Sequence, residues 1–535
     1  MTQRKNLIIG SGPAAAGAAL ALEKHDSEQV TVIDIGVELE DDTRYILNRL
    51  AATDREGWQD SDLAVISRQP VNRSSKSLPQ KRSYGSDFPF RNEGQLDGVI
   101  ARGNVNSSAI SAAYGGFSNV WGAQIMPFSR GTFRSWPFEW REIEASYRSV
   151  LAEVPLAAEE DDLAGLFPLL GPAQKLPRLA ERSEMILKRY SKHRAEVRSL
   201  GITVGRARLA FDSDNCVRCG LCMTGCPRSL IFSAARTFDR LRMVKRIVYR
   251  SGLRALKIGE DETGPFVTVE ATNGGGGETL RADRLFVACG GLGTTRLVLE
   301  SLDGAMRSVR LKESQQFVLP LMSTRATKVA SNEGEFTLNQ LNVLVDLNDD
   351  GVELCQIHLY PYNPAIRDAL PRPLKTRSAE PLAQSLLRRA SVGLGYLPSW
   401  ASPEVEVRLI NQSDPTRPAI SLTECSGPPS NGSTYRRVLS KLMKVGRSLD
   451  LWPVLPFAYR SSPLHSYHFG GSFPHAEMYR RIQGATDSLG RLSRWQRVHL
   501  IDASVFPVIP ATTFTLTVMA NAHRIASAVA RGSDA

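Results

Sequence analysis

The apolar positions at the start of the chain predict a strand, a tight turn, a helix and a second strand. The segment NLIIG (residues 6–10) is typical of a short buried strand, and GSGPAAAGAALAL (residues 10–22) of a glycine turn leading into a helix of small residues. QVTVIDIG (residues 29–36) predicts the next strand. This order is typical of an α/β fold with a parallel sheet.

The middle of the chain has a different pattern, in which apolar and polar residues alternate. FTLNQLNVLVDL (residues 336–347), VELCQIHLYPY (352–362) and EVEVRLINQ (404–412) are strand-like runs between turn residues. LPRPLKTRSAEPLAQSLLRR (370–389) predicts a loop and a helix between two of them. We therefore expect a second, antiparallel sheet here.

Length and composition are those of an ordinary globular protein. The 535 residues are 42% hydrophobic and 23% charged, which predicts two or three ordinary globular domains. The net charge of +11 comes largely from scattered arginines, and the densest basic run (residues 240–254) favours a solvated helix face over an anion or partner patch. We expect no nucleic-acid partner, no transmembrane segment and no signal peptide, and hence a cytoplasmic protein.

The glycine turn carries the pattern expected of a dinucleotide-binding site. Gly10 permits the tight turn, Gly12 lets the backbone approach a pyrophosphate, and Ala15 and Gly17 let the helix pack close to the strand. The N-terminus of the helix offers free N–H groups to the phosphates. Asp34 ends the second strand, 24 residues after Gly10, where an acid can bind a ribose. This motif alone does not choose between FAD and NAD.

A second motif is the cysteine run NCVRCGLCMTGCPRSL (residues 215–230). Its spacing, C-x2-C-x2-C-x3-C-P, is the iron–sulfur run of bacterial ferredoxins, with Cys216, Cys219, Cys222 and Cys226 as candidate ligands. A structural zinc, a disulfide pair and a loop without metal are the alternatives. A [4Fe-4S] cluster needs Cys226 to fold back or a remote ligand (Cys289, Cys355 or Cys425), whereas a [3Fe-4S] cluster needs only three of the run.

Five further segments carry a resemblance to a known family. They are YGGFSNVWGAQIMPF (114–128), WPFEWREIEASYRSV (136–150), RADRLFVACGGLGTTRLVLES (281–301), SYHFGGSFP (466–474) and the closing segment ATDSLGRLSRWQRVHLIDASVFPVIPATTFTLTVMANAHRIA (485–526). Together with the N-terminal turn they resemble the glucose–methanol–choline (GMC) family of FAD-dependent oxidoreductases, over the whole chain.

The resemblance implies a doubly wound α/β FAD-binding domain and an antiparallel-sheet substrate domain, each assembled from separated pieces. We expect FAD-binding pieces at residues 1–150, 196–310 (with the cysteine-rich loop 212–230) and 461–535. The expected substrate-domain pieces are 151–195 and 311–460.

The resemblance also implies site residues. His468 matches the catalytic histidine, with His465 as the alternative base. Thr513 stands where relatives carry a second His or Asn, which is a departure from the family pattern. The residues that would contact FAD are Gly10, Gly12, Ala15, Asp34, Gly115, Gly116, Ser118, Asn119, Asp502, Ala503, Thr513 and Thr515. Val120 occupies the position at which some relatives attach FAD through histidine, so non-covalent FAD is expected.

The leading hypothesis is an FAD-dependent dehydrogenase that oxidises a CH–OH group of a sugar or polyol. An iron–sulfur cluster would carry electrons from the flavin to a partner protein, which favours a dehydrogenase over an oxidase. The alternatives are a GMC-fold lyase resembling a fatty-acid photodecarboxylase, and a non-catalytic flavin electron-transfer subunit.

Overall fold

The computed structural model describes residues 3–69, 80–91, 98–328, 336–362, 367, 372–410, 419–425 and 430–532. Its α-helices, numbered along the described residues, are α1 (Pro13–Leu22), α2 (Asp41–Ala52), α3 (Asp60–Ile66), α4 (Trp140–Leu151), α5 (Glu181–Lys192), α6 (Arg194–Ser199), α7 (Ala234–Met243), α8 (Gly291–Ser301), α9 (Glu380–Leu387), α10 (Ser430–Leu449) and α11 (Thr515–Ala530).

The strands of the described residues belong to four sheets. In chain order they are β1 (Arg4–Ile9), β2 (Glu28–Ile33), β3 (Val99–Arg102), β4 (Ile202–Arg206), β5 (Ile247–Arg250), β6 (Leu253–Asp261), β7 (Gly264–Ala271), β8 (Gly277–Arg281), β9 (Arg284–Val287), β10 (Ser308–Glu313), β11 (Gln316–Met322), β12 (Leu341–Asp346), β13 (Leu354–Tyr360), β14 (Ala390–Tyr396), β15 (Glu404–Ile410), β16 (Ala419–Glu424), β17 (Trp452–Pro453), β18 (Tyr459–Arg460), β19 (Phe469–Gly470) and β20 (Val498–Leu500).

A parallel sheet joins three distant parts of the chain. Its order is β20-β9-β1-β2-β5, and all four pairings are parallel. Leu7, Ile8 and Ile9 are buried because helices cover a parallel sheet on both faces. The sequence-predicted strand, glycine turn, helix and strand at the N-terminus are β1, α1 and β2.

The alternating runs of the middle segment form an antiparallel sheet of seven strands. Its order is β17-β11-β14-β13-β12-β4, with β18 paired to β11. Odd-numbered residues such as Phe317, Val343 and Ile357 pack with α5 and α10 in one apolar cluster. The opposite face therefore remains for a cavity, because successive side chains of a strand point to opposite faces. The α/β fold with a second antiparallel sheet is confirmed.

One strand differs from the expected division of the chain. Residues 196–310 were expected to belong to the FAD-binding part, but β4 within them is hydrogen-bonded to β12 of the seven-stranded sheet. A short apolar strand carries no signal for a partner about 140 residues away, since pairing at that separation is decided by the tertiary fold.

The described residues form two further sheets. One has the order β19-β10-β15-β16-β3, and the other is the antiparallel meander β6-β7-β8. Among the described residues, no helix is both long enough and apolar enough to cross a membrane.

Candidate functional site

A cavity of about 2890 Å³ lies between the parallel sheet and the seven-stranded sheet. One wall is formed by the turn between β1 and α1, the end of β2 and the turn between β9 and α8. The opposite wall is formed by β11, β13 and β14. The cavity therefore brings together the glycine turn and the histidine segment that the sequence singled out.

The glycine turn has the geometry of a phosphate-binding site. Gly10 has a φ of +102°, and a Cβ there would lie 2.5 Å from the carbonyl oxygen of Ala288, so no other residue fits. A Cβ on Gly12 would meet no atom within 4 Å, because this glycine faces the cavity. Helix α1 begins directly after it without a side-chain cap. Its first N–H groups are thus available to an anion.

Asp34 lies at the end of β2 on the same cavity wall. The hydroxyl group of Ser11 donates a hydrogen bond to its carboxylate, and Ser11 Oγ accepts one from the amide of Gly115 at 2.9 Å. Burial raises the pKa of Asp34 to about 7. A ribose hydroxyl would supply a donor to this buried acid.

The segment around residues 114–119 divides into cavity-lining and supporting residues. Gly116 and Ser118 line the cavity. Gly115 and Asn119 do not; the Asn119 side-chain amide donates to the carbonyl oxygens of Tyr114 (2.8 Å) and Gly116 (2.9 Å) and so holds the turn. Asn119 thus supports the turn, and the contact of Gly115 and Asn119 with FAD stays a prediction. A turn must satisfy its own backbone groups, and Asn is well suited to that task.

Ala15 and Gly17 act away from the cavity. Ala15 is fully buried in the core. A Cβ on Gly17 would overlap the backbone carbonyl of Met519 in α11, so this glycine permits contact between two helices. The expectation that Gly17 serves packing against the strand is wrong, because the partner comes from the far end of the chain.

The closing segment of the chain (residues 485–526) also lines the cavity, with Asp502, Ala503, Thr513 and Thr515. Asp502 accepts hydrogen bonds from the hydroxyl group of Thr294 and from the amide of Ser504. Helix α11 begins at Thr515 with no side-chain cap, so its N-terminal N–H groups face the cavity region. This second free helix N-terminus would stabilise negative charge on a bound ring.

Thr513 is held by protein groups on both sides. Its hydroxyl group donates to the carbonyl oxygen of Gln124 at 2.8 Å, and its amide donates to Oε1 of Gln356 at 3.0 Å. The only hydrogen of the hydroxyl group is therefore already used. In this geometry Thr513 therefore has no hydroxyl hydrogen left to donate to a substrate oxygen.

His468 lies between two aromatic rings at the cavity. Its imidazole stacks on Tyr396 with centroids 4.7 Å apart and meets Phe514 edge-on at 4.9 Å. Its Nδ1 atom is buried and has no hydrogen-bond partner among the described residues. Burial lowers its pKa to about 4, so the ring is neutral near pH 7. His465 also lines the cavity, and burial lowers its pKa as well.

His358 is a site residue that sequence reasoning missed. It lies on β13, is 4% exposed and faces the cavity, and its ring lies 5.1 Å from that of Tyr396. Its Nε2 atom is buried and unpartnered among the described residues. Burial, with a smaller contribution from His468, lowers its pKa to about 3. Its position in the alternating run VELCQIHLYPY was the available signal.

The four cysteines of the run line one small void of about 10 Å³. The other three cysteines do not line it, and Cys289 instead lines the large cavity. Among the described residues, no group of three His, Cys, Asp or Glu side chains could hold a metal ion. The void has room for about one water molecule. The described side chains therefore lend no support to an iron–sulfur cluster, which stays a prediction from the spacing of the four cysteines.

The residues of the large cavity do fit FAD. The Gly10–Gly12 turn, the uncapped N-terminus of α1 and the buried Asp34 provide the features that a dinucleotide requires, and the cavity continues to His468. Val120 lines the cavity and has no group that could bond covalently to a flavin.

Three solved structures are similar to this chain. A pyridoxine 4-oxidase from Mesorbium loti matches with a TM-score of 0.61 at 14% identity, covering 99% of each chain. An FAD-dependent oxidoreductase from Chaetomium thermophilum matches with a TM-score of 0.60 at 13% identity, covering 99% of this chain and 100% of the other. A formate oxidase from Aspergillus oryzae RIB40 matches with a TM-score of 0.61 at 14% identity, covering 100% of this chain and 99% of the other.

No protein-family model and no curated protein matches the sequence. The three similar structures span essentially the whole chain, and at such low identity they establish the fold. The resemblance seen in the sequence is confirmed at this level: the chain has the GMC oxidoreductase fold.

Proposed function

We propose that the protein binds FAD non-covalently and oxidises the CH–OH group of an alcohol. The observation that carries the proposal is the pair of buried, uncharged imidazoles, His468 and His358, which both line the cavity and both pack against Tyr396. Bound FAD supplies the acceptor for a hydride from the alcohol carbon. The protein must supply a base and a means of holding the oxygen.

His468 is proposed as the base. Its ring is uncharged near pH 7, and its Nδ1 atom has no hydrogen-bond partner among the described residues. The stacked Tyr396 and the edge-on Phe514 fix the plane of the ring. The main chain around it is also anchored, because its carbonyl accepts a hydrogen bond from Ser314 and its amide donates one to Ser466 Oγ. A base held in one orientation accepts the hydroxyl proton with little reorganisation.

His358 is proposed to hold the alcohol oxygen by donating a hydrogen bond to it. Thr513 does not supply this hydrogen bond, because its hydroxyl hydrogen is already donated to Gln124. A neutral imidazole has one donor nitrogen and one acceptor nitrogen. With the N–H directed at the substrate oxygen, His358 would stabilise the negative charge that develops as the proton leaves. This assignment weighs against a non-catalytic electron-transfer subunit, which the departure at Thr513 had suggested.

The electron acceptor depends on the cysteine loop. The iron–sulfur cluster stays a prediction from the spacing of Cys216, Cys219, Cys222 and Cys226, and the preference for a dehydrogenase with an electron-transfer partner depends on it. Protein purified without air should then carry about three or four irons with matching sulfide. FAD-loaded protein without iron would leave oxygen as the natural acceptor. The sugar or polyol substrate and the cytoplasmic location also stay predictions.

The proposal is tested by loading the protein with FAD and adding an alcohol without oxygen. The expected result is loss of the visible band of oxidised flavin, with one carbonyl product formed per flavin. Acid precipitation should release all of the flavin. Stable absorbance with every alcohol tried, including long-chain and polyhydroxy compounds, would overturn the proposal.

A further inference from the structure

The cavity-facing side of the seven-stranded sheet is polar at one end and apolar along the rest. Every even-numbered residue of β11 and β14 lines the cavity. Gln316 and Tyr396 pair across the two strands at one end, and Tyr396 stacks on His468. The remaining even-numbered residues of these strands are Val318, Pro320, Met322, Ala390, Val392 and Leu394.

The register makes this apolar stretch continuous. Val318 pairs with Leu394, Pro320 with Val392, and Met322 with Ala390. On β13, His358 pairs with Leu394 and Tyr360 with Val392. The strands therefore run from the two histidines towards Ala390, a length of about 20 Å at about 3.3 Å per residue. Leu321 and the hydroxyl-bearing Ser391 also reach the cavity at the far end.

The facing side of this passage is apolar as well. It is formed by Leu386 and Leu387 of α9 and by a segment that follows β17, in which Val454, Pro456, Phe457 and Ala458 line the cavity. The amide of Val454 donates to the carbonyl oxygen of Pro320, so this segment is fixed to the edge of β11. Phe457 is 59% exposed, so the cavity reaches the protein surface there. Among the described residues, the polar members of this part of the lining include the hydroxyl-bearing Tyr360, Tyr362 and Tyr459 and the charged Lys375 and Arg460.

This lining is unsuited to a polyhydroxy substrate. Each sugar hydroxyl would leave water for a wall that offers few partners, and a buried polar group without a partner is unfavourable. An alkyl chain has the opposite preference, because burying each methylene favours binding.

The polar end also distinguishes an alcohol from a carboxylate. Its four side chains, Gln316, His358, Tyr396 and His468, are all uncharged near pH 7. A buried carboxylate requires a paired cation, whereas a hydroxyl group requires only hydrogen bonds. This end suits the hydroxyl of an alcohol better than the head group of a fatty acid.

We infer that the substrate is an alcohol whose hydroxyl group ends an extended apolar chain that lies along β11 and β14. This inference rests on the proposed function and is an alternative to the sugar or polyol expected from the sequence. The alcohol would lose its hydroxyl proton to His468, bound FAD would supply the acceptor for its hydride, and the product would be the aldehyde.

The inference is tested with a series of alcohols and FAD-loaded protein under anaerobic conditions. The second-order rate constant of flavin reduction should rise about fourfold per methylene from ethanol through 1-butanol and 1-hexanol, the factor that corresponds to about 0.8 kcal/mol per methylene. Glycerol and glucose should react more slowly than 1-hexanol. A flat series, or a polyol that reacts faster than 1-hexanol, would overturn the inference while leaving the proposed function intact.

A variant tests the location of the chain. Val392→Trp places a large ring midway along the passage and should lower the rate constant for 1-octanol at least tenfold more than that for ethanol. Leu382→Trp is the matched control, because Leu382 lies on α9 but is 56% exposed and does not line the cavity. Equal effects of Val392→Trp on both alcohols would place the substrate elsewhere. If Val392→Trp does not bind FAD, Ala390→Leu should show the same selectivity to a smaller extent.

Two further outcomes separate the hypotheses. If no alcohol reduces the flavin, the proposed function itself fails. If octanoate loses carbon dioxide under illumination while 1-octanol is inert, the passage binds a carboxylic acid and the alcohol inference is wrong.

Discussion

The two walls of the cavity are built from different parts of the polypeptide. The dinucleotide wall presents backbone: the Gly10–Gly12 turn and the uncapped N-termini of α1 and α11. The opposite wall presents side chains from antiparallel strands, with His358 on β13 and Tyr396 on β14, which stacks on His468.

The difference indicates which property of the protein a substitution in each wall would alter. Backbone groups in a tight turn have one geometry, and a wall made of them binds one cofactor. Alternate side chains on a strand can be replaced without altering the sheet, so the second wall can set substrate and rate. Substitutions in the two walls should therefore have different consequences.

The largest effect is expected from His468→Ala on the side-chain wall. The rate of flavin reduction by alcohol should fall by roughly 10²–10⁴, because a positioned base is lost. FAD content should be unchanged, since the dinucleotide wall is untouched. Stopped-flow absorbance and the flavin-to-protein ratio measure the two quantities. Near-normal reduction in this variant, with a large loss in His465→Ala, would move the base to His465.

His358→Ala should lower the same rate by roughly 10²-fold, because a hydrogen-bond donor to the developing charge is removed. Cys355→Ala is the matched control: Cys355 lies on the same strand, but packs in the apolar cluster on the opposite face. Its rate of flavin reduction should match that of the wild type. A His358 variant as fast as the control would remove this residue from the site.

The pH dependence should follow the burial of His468. Its pKa is lowered to about 4, and the base is competent only when uncharged. Flavin reduction should therefore be constant between about pH 8 and pH 5 and fall about tenfold per unit below about pH 4. Rapid mixing from neutral buffer into acid measures this before the protein unfolds. A midpoint near the ordinary value of about 6.5 would show that His468 is solvated.

The smallest effect is expected from Gly17→Ala, which should lower stability. This variant tests the contact between α1 and α11, the two helices whose N-termini form part of the dinucleotide wall. The added methyl group overlaps the Met519 carbonyl, so α1 and α11 must separate slightly, at a cost of about 1–3 kcal/mol in the free energy of unfolding. Gly165→Ala is the control, since a Cβ there meets no atom within 4 Å. Urea unfolding measures both. Equal stability of the two variants would show that the helices are not in close contact.

The two walls also differ in how far the sequence predicts them. Gly10, Gly12 and Asp34 could be identified because a turn with positive φ and an acid at a strand end leave a local signal. His358 left only the weaker signal of its place in an alternating run, because its neighbours Tyr396 and His468 come from distant parts of the chain. The hydrogen bonds of the Asn119 amide to its own turn could not be predicted for a related reason, because they depend on the folded backbone.

The central claim is that His468 and bound FAD together oxidise an alcohol. Its most direct test is anaerobic stopped-flow reduction of the FAD-loaded protein by 1-hexanol and by 1-hexanol deuterated at the carbinol carbon. We expect flavin reduction with both, slower with the deuterated alcohol, because the carbon–hydrogen bond breaks in the measured step. Absence of flavin reduction with either alcohol would contradict the account.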